Sequence, residues 1–171
     1  MFFGILHSRR RRMKALFFVT MLVVWLAAGS LDVPRPVPSL SAPTVAATPG
    51  DTVVIASVGI ELSYDVKEIR ATAGDTLTIR YDNSESEMTH NFVLVRAEED
   101  IMPVGNAALN AHRNDFIPED EMDRIIVHSR LLYPGESDTF SLVVPPPGTY
   151  PYICTYSGHF TMMQGRLIST Q

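Results

Sequence analysis

Cysteine is almost missing from this 171-residue chain. Cys154 stands alone, so no internal disulfide can staple the fold, and an unpaired thiol in such a chain is a dimer link or a ligating group. Paired histidines are missing too. His7, His90, His112, His128 and His159 are scattered, with no His-x-His or His-Cys-His run, which excludes sites that hold several metal ions through adjacent imidazoles. Basic charge is scarce beyond the N-terminus. Arg9, Arg10, Arg11, Arg12 and Lys14 are five of the fourteen basic residues, leaving nine against nineteen acidic side chains. Such a chain has no basic face for a phosphate backbone, and nucleic acid is excluded as a partner. No period repeats along the sequence, which rules out solenoid and propeller arrays.

The one long apolar run lies near the start, where Ala15 to Ala28 (ALFFVTMLVVWLAA) follows the basic cluster and small residues follow at Gly29 and Ser30. This order is that of an export signal. Extended to Leu31 the run is also just long enough for a membrane span, so residues 1–31 are a signal peptide or a retained N-terminal anchor, with 15–31 as the membrane tether. Either way the basic cluster stays inside and the rest lies outside the cytoplasm, in the periplasm or on the outer face of the membrane. Residues 32–50 carry Pro34, Pro36, Pro38, Pro43 and Pro49 among Ala, Ser, Thr and Val. This composition predicts a disordered, extended Pro/Ala-rich linker with a reach of about 60 Å.

From residue 51 the texture becomes short β-rich runs between turns. Thr52–Ala56, Glu68–Ala71, Thr76–Tyr81, Asn91–Val95, Arg124–Leu132, Thr139–Val144, Tyr150–Cys154 and Gly165–Ser169 read as strands, the first followed by a segment from Gly59 through Tyr64. In Thr76–Tyr81, Leu77, Ile79 and Tyr81 share one face. Ala107–His112 reads as a short helix inside an excursion over 97–120. An all-β domain over 51–171, an antiparallel sandwich or barrel of seven or eight strands with a short helical insertion, follows from this pattern.

Chemistry concentrates in two stretches. Cys154-Thr-Tyr-Ser-Gly-His159-Phe-Thr-Met-Met163 places a thiolate, an imidazole and a thioether in one loop, and Met88-Thr-His90-Asn91-Phe-Val-Leu adds a second imidazole. Two histidines, one cysteine and a weak axial methionine form the donor set of mononuclear copper sites that pass single electrons. Asn91 is placed to hold the cysteine loop by a hydrogen bond. Met88, Tyr156, Phe160 and Met162 read as an apolar rim around an exposed edge of His159, while His112 and His128 read as non-ligands.

These two motifs resemble the copper-binding segments of azurins and auracyanins, within the cupredoxins. The Cys-x4-His-x3-Met spacing is of the azurin type, Ala73-Gly74-Asp75-Thr76 is similar to a cupredoxin turn, and His128 falls where azurins carry a non-ligand histidine. The lone cysteine is similar to the auracyanin branch. The resemblance implies a Greek-key β-sandwich, one type 1 copper ion on His90, Cys154, His159 and Met163, and a weak backbone carbonyl contact from Thr89. It further implies a monomeric one-electron carrier that is not an enzyme and meets redox proteins on the apolar rim. The competing reading is a periplasmic copper chaperone or buffer.

Overall fold

The computed structural model describes residues 42–171. The expected signal or anchor over 1–31, and the linker up to residue 41, lie outside the described residues. Among those described, no helix is long and apolar enough to cross a membrane.

Among the described residues nine strands form two sheets: β1 Thr44–Ala46, β2 Thr52–Gly59, β3 Glu68–Thr72, β4 Thr76–Ser86, β5 Val93–Val95, β6 Ile125–His128, β7 Ser137–Val143, β8 Gly148–Ile153 and β9 Gln164–Thr170. The larger sheet runs β1-β3-β9-β8-β5-β6 and the smaller β2-β4-β7. The β-sandwich with a short helical insertion expected from the sequence is present, with eight of the strands after residue 51. It is not wholly antiparallel. β1 with β3, β3 with β9 and β2 with β4 pair in parallel. The physical reason is that the chain crosses between sheets: β3 lies in the larger sheet while β2 and β4 lie in the smaller, so a tight hairpin does not join them. The turn at Gly74, with φ 86°, makes this crossing. It is tied to both sheets, since Ala73 N–H donates to Thr170 O (2.8 Å) and Gly74 N–H to Val144 O (2.9 Å).

Three local readings shift. Thr44–Ala46, inside the stretch expected to be a disordered linker, is a strand in register with Glu68–Arg70, and the Pro43 carbonyl accepts from Lys67 N–H at 2.9 Å. Proline is tolerated there because β1 is an edge strand. The helix α1 spans Ile101–Ala108 rather than 107–112, and its buried residues Ile101, Val104, Gly105 and Ala108 fall at helical spacing. Pro103 sits in the first turn, where its absent N–H has no intrahelical partner to lose. The run Arg124–Leu132 is strand only over Ile125–His128, because the Ser129 hydroxyl accepts Phe92 N–H (2.9 Å) and breaks the ladder.

The interior between the sheets is aromatic. In β4, Leu77, Ile79 and Tyr81 point inward as the alternation predicts. Tyr64 packs edge-on against Tyr81, Phe92 and Tyr152 with ring centroids 5.7, 6.1 and 5.2 Å away. Each buried phenol finds a partner, as burial demands. Tyr152 donates to Val66 O (2.7 Å), the Tyr81 hydroxyl meets the Ser57 hydroxyl (2.6 Å), and Tyr64 donates to Asn91 O (2.8 Å). A second cluster of Val93, Val95, Ile101, Val104, Ile117, Ile125, Ile153 and Phe160 lies under α1. β5 is therefore buried on both faces, which explains its unbroken apolar run Val93-Leu94-Val95.

Candidate metal centre

Sheet register brings the two motifs together. β5 pairs antiparallel with β8 (Val93 opposite Ile153), and β8 pairs antiparallel with β9 (Ile153 opposite Gln164). The start of β5, the end of β8 and the start of β9 thus share one end of the sheet. His90 stands just before β5, Cys154 just after β8, and Met163 just before β9.

His90 is fixed by its backbone, which exchanges two hydrogen bonds with Leu132 (3.0 and 2.8 Å). Asn91 ties this segment to the cysteine loop. Its Oδ1 accepts Thr155 N–H at 2.8 Å, and its Nδ2 donates to Thr155 Oγ1 at 2.8 Å and to Asp115 O at 3.3 Å. The loop then turns through Ser157 (φ 45°) and Gly158 (φ 88°), the left-handed region that suits glycine and strains serine. It closes on itself, with Met163 N–H donating to His159 O (2.8 Å) and Cys154 N–H to Met163 O (3.1 Å).

The Cys154 sulfur lies 3.6 Å from Nδ1 of His90 and 3.6 Å from Nδ1 of His159, and the two Nδ1 atoms are 3.2 Å apart. A point in the plane of this triangle lies about 2.0 Å from all three atoms, the length of a metal–nitrogen bond and slightly under a metal–thiolate bond. Cys154, His90 and Met163 are wholly buried and His159 is 8 % exposed. Met163 shares the Cys154 core cluster. Among the described residues these three donors are the metal-competent group of His, Cys, Asp or Glu. A thiolate, two imidazoles and a neighbouring thioether are a soft set that fits copper.

Burial sets the electrostatics. It pushes the Cys154 thiol up to about 12, opposed by the backbone N–H groups of Asn91 and Tyr156 that face the sulfur. It lowers His90 to about 4, helped by His159, and lowers His159 as well. Both imidazoles are neutral near pH 7, the form that ligates, while the thiol must lose a proton to a bound metal.

The structure keeps His112 exposed and His128 half-buried, and neither joins the group. Thr89 is half-buried beside His90. One rim reading is corrected: Phe160 is buried at 3 % and belongs to the cluster under α1, whereas Met162 is 69 % exposed and Met88 and Tyr156 are half-buried. The His159 edge is also narrower than its loop setting suggested. Sequence reasoning missed Thr155, Leu132 and Tyr64 as supports. Thr155 carried a signal, since a buried Asn91 needs a partner across the loop; Leu132 and Tyr64 carried none.

Residues 51–169 match the copper binding proteins of the plastocyanin/azurin family. Auracyanin-A of Chloroflexus aurantiacus is 38 % identical over 119 residues, covering 68 % of this chain and 73 % of that one. Among solved structures, a dithionite-reduced auracyanin from the photosynthetic bacterium Roseiflexus castenholzii has a TM-score of 0.67 at 36 % identity, over 72 % of this chain and all of that one. The structure titled auracyanin A, a "blue" copper protein from Chloroflexus aurantiacus, has a TM-score of 0.66 at 37 % identity, over 70 % of this chain and 98 % of that one. The chain belongs to the plastocyanin/azurin family of copper-binding proteins.

Proposed function

We propose that the protein is a type 1 copper electron carrier acting outside the cytoplasm, with no enzymatic activity of its own. The observation that carries this reading is the buried triangle of two Nδ1 atoms and one sulfur. His90, Cys154 and His159 supply the three strong donors. Met163 would supply a weaker sulfur donor, and the Thr89 carbonyl a further weak contact. Bound copper would supply a one-electron couple.

The chain's own part is to hold the donors in place and keep water out. Asn91 fastens the His90 segment to the cysteine loop through Thr155, so the donors of the two motifs keep their spacing. Ligands held by a sheet scaffold limit rearrangement when the charge changes, which favours fast electron transfer. Backbone N–H groups at the sulfur stabilise it as a thiolate. Burial of His90, Cys154 and Met163 disfavours the chaperone or buffer reading, because metal exchange needs accessible donors.

Redox partners would dock over the narrow His159 edge. Exposed Met162 and Leu109, the latter 3.9 Å from where a Cβ on Gly158 would lie, provide apolar contact there. Such a surface suits brief, small-area encounters by a monomeric domain. Residues 1–31 direct export, with 15–31 as a tether if retained, and residues preceding β1 act as the spacer.

Adding copper(II) to the purified protein and recording its visible spectrum and voltammogram tests the function. One equivalent should give an intense thiolate-to-copper charge-transfer band and a reversible one-electron wave. A colourless complex, or a band that survives Cys154→Ser, would overturn it.

A further inference from the structure

Helix α1 read from sequence as part of an excursion away from the chemistry. Its buried face, however, meets the ligand loop. Phe160 directly follows His159, and its ring is 3 % exposed among Ile101, Val104, Ile117 and Ile153. Gly105 is the residue of α1 beneath that ring. A Cβ built on Gly105 would lie 2.6 Å from Phe160 Cδ1 and closer still to Cγ and Cδ2, whereas ordinary contact starts at 3.4 Å. The ring therefore rests on helix backbone that only glycine leaves bare. Glycine in a helix interior is unfavourable for the helix itself, so its place here has a packing reason.

The loop needs such an anchor. Ser157, two residues before His159, adopts left-handed backbone, a conformation that in a residue other than glycine persists only when its surroundings hold it. After His159, the Phe160 carbonyl accepts from Gln164 Nε2 (2.6 Å), while the His159 carbonyl accepts from Met163 N–H (2.8 Å). These bonds fix the loop to β9. The Phe160 ring fixes it to α1, on the other side.

We propose that α1 is a brace for the metal centre: Gly105 opens a slot for the Phe160 ring, and the seated ring sets the position of His159. Gly105 and Phe160 are positioning residues, acting through His159 rather than touching the metal. The proposal rests on His159 being a ligand, but its effect on His159 exists without metal. A Cβ at Gly105 expels the ring, and the strained loop relaxes with its imidazole displaced from the Cys154 sulfur.

The experiment compares the full chain with Gly105→Ala, Phe160→Leu, the double variant and Asn106→Gly. Asn106 is on the exposed face of α1, so its change weakens the helix without touching the slot. Two quantities are read: copper(II) affinity by chelator competition, and the imidazole proton–nitrogen signals of the metal-free protein. Gly105→Ala is expected to weaken copper binding by about 10- to 100-fold, the range found when groups that orient a ligand are lost. It should also move the His159 ring signals while leaving those of His112 and His128 in place. Phe160→Leu should restore both readouts in the double variant, and Asn106→Gly should resemble the unaltered chain. Unchanged affinity and unmoved His159 signals in Gly105→Ala would overturn the brace, as would an equal effect from Asn106→Gly. Should Gly105→Ala not fold, Phe160→Leu alone decides: weaker binding with displaced His159 signals supports the brace, and unaltered behaviour overturns it. A chain that binds no copper would refute the function proposed above, while the metal-free His159 signals still report on the brace.

Discussion

Asn91→Ala removes the link between the two halves of the centre, and its cost follows from the contacts. The Asn91 side chain is fully buried and makes two strong hydrogen bonds to Thr155, each 2.8 Å long, with a weaker one to the Asp115 carbonyl. The lost bond to Thr155 Oγ1 is worth a net of about 0.5–1.5 kcal/mol, and the buried Thr155 N–H left without an acceptor costs about 1–3 kcal/mol. The total is about 3 kcal/mol, which a domain of ordinary stability survives. Urea unfolding of the metal-free protein should show it as a midpoint lowered by about 1–2 M, given a slope near 2 kcal/mol/M. Thr155→Val keeps the N–H to Asn91 bond and loses only the hydroxyl contacts, so it should cost about 1 kcal/mol. The double variant should cost clearly less than the two single losses added together, because the residues share one network. A midpoint shift below about 0.5 M for Asn91→Ala, or strict additivity in the cycle, would refute this account of how the two loops are joined.

Three further outcomes are expected. If the proposed site is right, Met163→Leu removes a weak sulfur donor but none of the three strong ones, so visible spectroscopy and voltammetry should find the colour retained and the potential raised; complete loss of copper would show the thioether to be a main ligand. Tyr64→Phe deletes the phenol that donates to Asn91 O across the core, and should lower stability by about 1 kcal/mol in denaturant titration without altering the spectrum. Glu68 is held below the usual carboxylate range, first by its hydrogen bond to Arg166 and then by Arg70. A depressed carboxyl adds stability above its unfolded value and loses it as pH falls through its folded value. Thermal melts of Glu68→Gln should therefore fall below those of the unaltered chain at neutral pH, with the gap closing as the solution is taken below about pH 4.

The ligand motifs were legible because metal chemistry demands particular atoms. Cys154, His159 and Met163 sit at fixed spacing on one loop, and His90-Asn91 precedes an apolar strand, so the residue types alone point to the site. The inward face of β4 was legible for a similar reason, since one buried face imposes a period of two. What stayed hidden depended on partners distant in sequence. β1 is held by backbone bonds to Lys67 and Arg70 that its Pro/Ala composition does not signal. α1 lies ahead of the expected Ala107–His112, over a stretch whose Pro103 and Gly105 are poor helix formers, yet one sits where no N–H is needed and the other makes room for Phe160. That ring was assigned to the surface because a loop residue beside a ligand gives no hint of the helix covering it. Parallel pairing of β2 with β4 likewise follows from where β3 goes, which no local pattern records.

The central claim is that one sulfur and two imidazoles of this chain converge on a single copper ion. X-ray absorption at the copper edge, on the copper-loaded protein, measures that directly. The triangle of 3.6, 3.6 and 3.2 Å predicts two nitrogen neighbours at about 2.0 Å and one sulfur at about 2.2–2.3 Å. A first shell made only of nitrogen and oxygen, or one with two or more short sulfurs, would contradict it.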